Sequence, residues 1–368
     1  MRYNWQQKDW PNFRYDEAVS ASLLLPFLEK VGKSSGFMET LSKAEQEVSV
    51  INVLVKEAIK TSEIEGEYIS RKDVISSIRK NLGFPTNKAL IKDKRSEGLG
   101  ELLIKVRETF EKPLSEKMLF DWHKLLMKGS FGVEVGKWRS HEEPMQVISG
   151  AMGKEKVHFE APPSQKVPEE MAAFVTWFNA SSPKGEQKMF NPMLRAAITH
   201  LYFESVHPFE DGNGRIGRLL AEKALAQGLG KPVLMSLSKS IEAGKKTYYS
   251  QLEKAQQGNE ITKWVNYFCG LLVEAQNDFE QTVRFSLKKA SFFETHKTEL
   301  NERQKKVIKR MLDEGYEGFE GGMNTRKYIG LTKTSKATAT RDLQDLVSKG
   351  IFVSTGGGRS VSYQLKIA

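Results

Sequence analysis

His207-Pro208-Phe209-Glu210-Asp211-Gly212-Asn213-Gly214-Arg215-Ile216-Gly217-Arg218 gathers a base, carboxylates, glycines and two guanidinium groups within a short stretch of a 368-residue chain. The sequence on either side reads as helix. Upstream, Leu194, Ala197, Ile198, Leu201 and Tyr202 recur at helical spacing behind Pro192, a residue suited to a first helical turn. Downstream, a helix is expected from about Gly214 to Gln227. A loop between two helices therefore carries the reactive groups. Gly212 and Gly214 let the backbone approach a ligand closely, and the first turn of the following helix presents unpaired N–H groups, a combination suited to phosphate oxygens. Arg215 and Arg218, one turn apart, are spaced to face one anion. Asp211 adds a hard oxygen ligand of the kind that holds Mg2+ together with substrate phosphates. His207 adds a base that is partly neutral near physiological pH. Together these groups point to attack by a hydroxyl on a nucleotide phosphate.

The same residues match, at every specified position, the signature His-x-Phe-x-Asp/Glu-Gly-Asn-Gly-Arg-x-x-Arg, and over roughly residues 100 to 280 the chain resembles the Fic proteins. The resemblance implies an all-helical core with the signature between two helices, and transfer of AMP from ATP to a Ser, Thr or Tyr hydroxyl of a protein target. It implies His207 as the base, Asp211 as the Mg2+ ligand, and Asn213 with the Gly212 and Gly214 backbone at the α-phosphate. Arg215 and Arg218 would hold the β- and γ-phosphates, and Phe209 reads as an apolar plug. The competing readings are a core histidine with a solvated arginine face, and a zinc site from His200, His207 and Asp211. The spacing of that trio is not that of the usual helical zinc motifs.

Three further segments take meaning from the resemblance. Gln146 to Phe159, with Gly150 and Gly153 at its tip and Pro162-Pro163 behind it, reads as a hairpin and matches the position of the family's flap, which aligns a target by strand addition. An ordinary surface hairpin fits the spacing equally well. Lys246 to Leu252 resembles the segment whose paired tyrosine lines the adenine pocket, which makes Tyr248 the candidate base contact against a plain core role. Thr61-Ser62-Glu63-Ile64-Glu65-Gly66 matches the inhibitory pattern Ser/Thr-x-x-x-Glu-Gly/Asn, so that Glu65 is expected inside a helix with its carboxylate against Arg218. The alternatives are a plain helix end at Gly66, or a glutamate that supports removal of AMP.

The rest of the chain sets the frame. From about Tyr15 to Arg107, apolar residues such as Val48, Ile51, Val55, Ala58 and Ile59 recur at helical spacing, and helical patterns return over Ser115–Met127 and from Pro168 past Asp278. Beyond Glu299, helices over Gln304–Leu312, Asn324–Ile329 and Ser335–Lys349 precede strands near Ile351–Val353 and Val361–Leu365. This reads as a winged helix with Thr338, Thr340 and Arg341 on one helix and Arg359 at the ribbon tip. The expected fold class is mainly α: an N-terminal helical region (residues 1–100), a helical Fic core with a β-hairpin flap (101–285) and a winged-helix domain (299–368). A net charge of +10 favours anionic partners, and the single cysteine, Cys269, excludes an internal disulfide or a Cys-rich zinc site. With no signal-like apolar segment at the N-terminus, a cytoplasmic location is expected. The expected partners are ATP, a protein target, the chain itself as target, a second copy in a homodimer, and DNA through the C-terminal module; no membrane is expected. The rival function is a DNA-binding regulator whose Fic part senses nucleotide, or a Fic enzyme that moves another phosphate-containing group or removes AMP.

Overall fold

Helix α7 (Pro192–Val206) is buried on all sides, its polar Arg195, Thr199, His200, Glu204 and Ser205 included, which makes it the central rod of its compact unit. A computed structural model describes residues 3–84, 91–149, 156–296, 298–357 and 361–367. Asn191 caps α7 by accepting from the N–H groups of Met193 and Leu194, and Pro192 takes the first helical position as expected. The helix stops at Val206 because His207 precedes Pro208, a context that disfavours α backbone. His207 adopts left-handed backbone (φ 50, ψ 59) and donates its N–H to the Phe203 carbonyl.

Helix α8 (Asn213–Leu229) begins where Gly212 (φ 84) turns the chain, and it packs along α7. The same compact unit holds α1 (Glu17–Thr40) as far as Gly32, α2 (Lys43–Ile64) from Val50, α3 (Arg71–Asn81), α4 (Lys94–Glu108), α5 (Glu116–Leu126), α6 (Val167–Ala180), α9 (Leu237–Ala243), α10 (Lys245–Ala255) and α11 (Thr262–Thr295) as far as Phe279. Leu201, Phe203, Ile216, Leu220, Phe174 and Trp264 are fully or almost fully buried. Each such side chain contributes about 1.5–3 kcal/mol of transfer free energy to holding the central pair in place.

The expected hairpin is β1 (Gln146–Ser149) and β2 (Lys156–Glu160), antiparallel, with Val147 opposite Phe159, Ile148 opposite Val157 and a bulge between Val147 and Ile148. Its expected tip, Gly150 and Gly153, lies outside the described residues. One expectation is corrected here: α2 ends at Ile64, so Glu65 sits in the turn just beyond the helix. Gly66 (φ 77) provides the left-handed step that stops α2, because an L side chain is strained there.

Two compact units divide the chain, one formed by Met1–Gly32 and Val50–Phe279, the other by Lys33–Ser49 and Glu280–Ala368. In the second, α12 (Glu302–Leu312), α13 (Thr325–Thr332) and α14 (Lys336–Ser348) surround Val307, Ile308, Tyr328, Leu343 and Leu346. Strands β3 (Phe352–Thr355) and β4 (Ser362–Leu365) form an antiparallel ribbon. Buried Asp342 accepts from Arg303 and from the Tyr328 hydroxyl, which ties α14 to α12 and α13. Arg341 is exposed and Thr338 and Thr340 are half-buried; Arg359 lies outside the described residues.

Candidate active site

The loop between α7 and α8 is held from both sides. Asn213, 2% exposed, accepts from the Phe209 N–H (2.9 Å) and donates to the Phe209 carbonyl (2.7 Å), so its side chain staples the loop. Phe209 is fully buried and stacks on His123 with ring centroids 4.0 Å apart, as a plug. His123 Nδ1 accepts from the Gly136 N–H (3.0 Å), which leaves Nε2 as the donor to the Asp211 carbonyl (3.0 Å). Arg139, 2% exposed, donates from Nε to the His207 carbonyl (2.8 Å) and from Nη1 to Ser164 (2.9 Å). A buried guanidinium thus fixes the left-handed backbone of His207, whose strain costs of order 1 kcal/mol.

The His207 ring is mostly enclosed, with 16% of its side chain exposed, and Nδ1 is buried without a hydrogen-bond partner. Burial, reinforced by the Arg139 charge, lowers its pKa to about 4 and keeps the imidazole neutral at pH 7. Its nearest carboxylate is Glu204, whose Oε2 lies 3.7 Å from Nδ1. Burial pushes the Glu204 carboxyl up to about 8, Arg218 opposing and Glu65 adding to the effect.

Beside the histidine, Asp211 has a 49% exposed side chain; its Oδ1 accepts from the Gly212 N–H (2.6 Å) and its Oδ2 faces Arg215 at 3.2 Å. Each of the two arginines is paired with its own carboxylate. Arg215 donates to Glu67 (2.9 Å) as well as facing Asp211, whereas Arg218, 2% exposed, donates from Nη2 to Glu65 Oε1 (2.7 Å) and to the Thr61 carbonyl (3.1 Å) and from Nε to Thr61 Oγ1 (2.9 Å). The physical reason is local: the turn after α2 offers carboxylates at alternate positions 65 and 67, one to each guanidinium. Burial alone would lower the Arg218 pKa, and the adjacent Glu65 carboxylate raises it instead. Gly214 is part of this arrangement, since a Cβ there would sit 2.5 Å from Glu65 Oε1.

His207, Asp211, Gly212, Asn213, Gly214, Arg215, Arg218 and Glu65 are therefore brought together. Tyr248 is placed differently from its expected adenine edge: it is 1% exposed, and its hydroxyl lies 2.6 Å from His200 Nε2. Of the two tyrosines on α10, Tyr249 is the one that reaches the surface, at 37% exposure. Helical spacing put both on one helix without saying which faces inward. His200 is occupied by Tyr248, and among the described residues no cluster of three or more His, Cys, Asp or Glu is arranged to hold a metal ion alone. Sequence reasoning missed Arg139, His123, Glu204 and Glu67. Only Glu204 and Glu67 carried a signal, one being three residues before His207 on the same helix face and the other two residues after Glu65.

Residues 113–225 match the model of the Fic/DOC family, and residues 3–84 match a domain of unknown function, DUF4172. The loop, α7, Asp211 and α8 as far as Leu225 lie in the first match; Thr61 and Glu65 lie in the second. The Fic/DOC match thus holds the loop residues of the site, and the DUF4172 match holds the turn with Glu65. A probable protein adenylyltransferase of Aquifex aeolicus (strain VF5) is 30% identical over 193 residues, covering 50% of this chain and 53% of that protein. Protein adenylyltransferase fic-1 of Caenorhabditis briggsae is 30% identical over 149 residues, 40% of this chain and 25% of that one. The chain thus spans about half the length of the first and a quarter of the second. In fold it is similar to a Fic family protein from Desulfovibrio desulfuricans G20, with a TM-score of 0.53 at 20% identity over 97% of this chain and 98% of that one. It is likewise similar to a Fic domain containing signaling protein from Bacteroides thetaiotaomicron VPI-5482, with a TM-score of 0.54 at 18% identity over 70% and 97%. Among the described residues, no helix is long and apolar enough to cross a membrane.

Proposed function

We propose that this chain is a protein adenylyltransferase that moves AMP from ATP to a Ser, Thr or Tyr hydroxyl of a protein, itself included, and that Glu65 restrains it. The observation that carries this reading is the buried guanidinium of Arg218, bonded to Glu65 at 2.7 Å beside the enclosed, neutral His207. His207 takes the proton of the target hydroxyl, whose oxygen then attacks the α-phosphorus as pyrophosphate leaves. The N–H groups at the start of α8 face the α-phosphate, and Arg215 and Arg218 hold the β- and γ-phosphates once Glu67 and Glu65 withdraw. While Glu65 stays, Arg218 is occupied and the γ-phosphate meets a carboxylate, so ATP sits out of line with the hydroxyl. Tyr249, backed by Tyr248, is assigned to the adenine edge.

The residues fit Mg2+. Asp211 offers one half-exposed carboxylate, and Mg2+ is usually held by one or two carboxylates with substrate phosphates and water. Bound there, it would supply charge neutralisation at the phosphate oxygens. The hairpin β1–β2 presents Ile148 (54% exposed) and Val157 (41%) as the surface against which an extended target segment docks.

The test is incubation of the Glu65→Gly protein with ATP labelled at the α- or the γ-phosphate. Label from the α-position alone supports the reading, and transfer of the γ-label makes the protein a kinase. The second compact unit we read as a winged helix whose α14 offers Arg341 to DNA, a reading favoured by the chain's net charge of +10. This keeps a DNA-binding regulator as the second reading. Regulation that survives His207→Ala, in a variant that has lost transfer, would favour it.

A further inference from the structure

Helix α7 carries His200 and Glu204 one turn apart on one face, and His207 follows at its left-handed C-cap, within reach of Glu204. All lie in the interior, and His200 Nδ1, Glu204 Oε1 and His207 Nδ1 make no hydrogen bond of good geometry, although the Gly217 carbonyl acts on His200 and the Glu204 carbonyl on His207. A buried polar atom without a well-formed hydrogen bond costs about 1–3 kcal/mol, so three in a row at the end of α7 call for a reason. Gly217 in the facing turn of α8 makes the row possible. A Cβ on it would overlap Glu204 Oε1 and stand 3.2 Å from His200 Nδ1, so the two atoms border one small space.

We propose that Glu204 is a positioning residue for His207: its Oε2 accepts the His207 Nδ1–H while its Oε1 is turned to His200, which fixes the tautomer that leaves His207 Nε2 free for the target hydroxyl. The inference rests on the reading of His207 as the base. Burial pushes the Glu204 carboxyl up to about 8, which favours its protonated form near neutral pH and leaves Oε2 as an acceptor, while Oε1 and His200 Nδ1 border the space that Gly217 leaves open. His200, whose pKa burial lowers to about 3, is neutral and uses its Nε2–H toward Tyr248, 2.6 Å away. At 3.7 Å, Oε2 and His207 Nδ1 are one small ring rotation short of a hydrogen bond, a gap that tightens as an active site fills.

In the transfer step the hydroxyl proton passes to Nε2, the oxygen–phosphorus bond forms, and the bond to pyrophosphate breaks with its electron pair leaving on pyrophosphate. The imidazolium then keeps Nδ1–H on Glu204 Oε2, and Glu204 keeps its own proton. The other charged or titratable groups that act on this row are Arg139 from the loop after α5, Arg218 on α8, Glu65 after α2, Asp211 in the loop and Tyr248 on α10.

Nitrogen-15 NMR of histidine-labelled full-length protein tests this, with His207→Gln used only to assign the signal. The wild type is expected to show His207 with the proton on Nδ1 from pH 6 to 8, and a spectrum with the proton on Nε2 would overturn the proposal without any variant. In a Glu65→Gly background, Glu204→Leu is expected to lose the fixed tautomer and lower kcat about 100-fold with the KM for ATP unchanged. A Glu204→Leu protein with unchanged tautomer and kcat would also overturn it. If Glu65→Gly transfers no AMP at all, the functional reading fails, and comparison of the wild-type and Glu204→Leu spectra still decides the role of the Glu204 side chain.

Discussion

Replacing Glu65 by glycine removes a carboxylate bonded at 2.7 Å to a guanidinium that is 2% exposed. A charge-assisted hydrogen bond to so desolvated a cation is worth about 1.5–3 kcal/mol, which ATP must overcome before its γ-phosphate takes Arg218. Since about 1.4 kcal/mol is tenfold in rate, Glu65→Gly should raise transfer roughly 10- to 100-fold. The opposing cost is small, because residue 65 lies past the end of α2 and the penalty of about 1 kcal/mol for glycine applies to a helix interior. The assay is the initial rate of protein labelling from α-labelled ATP, with the melting temperature followed in parallel. An unchanged or lower rate in a folded variant would refute the restraint. So would a Glu65→Gly, Arg218→Ala double variant that keeps the gain, because the released arginine is the proposed cause.

The second acidic contact, Glu67 to Arg215 at 2.9 Å, predicts a smaller gain of about threefold for Glu67→Ala, since Glu67 is 28% exposed and better screened; no gain in the Glu65→Gly background would show that only Arg218 matters. His207 is pushed down to about 4, so the base stays neutral as pH falls through 6.5, and kcat/KM of Glu65→Gly, corrected for the titration of ATP, should stay flat from pH 7 to below 6. An acid limb at pH 6.5 would contradict that environment. Glu222 on α8 is pushed up to about 8 by burial and by Glu57, with Arg107 opposing. A carboxyl raised in the folded state stabilises most below its unfolded pKa of about 4.5 and loses that contribution as pH rises through about 8, so the melting temperature should fall by several degrees over this range and Glu222→Gln should flatten the fall.

The loop between α7 and α8 was legible because its chemistry is contiguous: a base, a carboxylate, glycines and arginines that need no tertiary contact to be seen as a phosphate cradle. The helices of the second unit were legible for the same local reason, their caps and apolar spacing lying within each segment. Arg139 and His123 were not, because each reaches the loop from about 70 to 90 residues away in sequence and looks like an ordinary basic residue until the backbone carbonyls of His207 and Asp211 are set beside it. Asn213 was visible as a polar residue in a phosphate loop, yet its amide is spent on the backbone of Phe209, a pairing that depends on the turn geometry. The spacing of the two arginines gave no sign of the carboxylates that pair with them. Only the turn after α2, with Gly66 sending Glu67 back across α8, separates them onto two carboxylates.

The measurement that bears most directly on the central claim is the intact mass of Glu65→Gly protein, and of the same protein carrying His207→Ala, after incubation with ATP and Mg2+. The account predicts a mass increase of one AMP on the first and none on the second. An increase of one phosphate, or an AMP adduct that persists without His207, would contradict it.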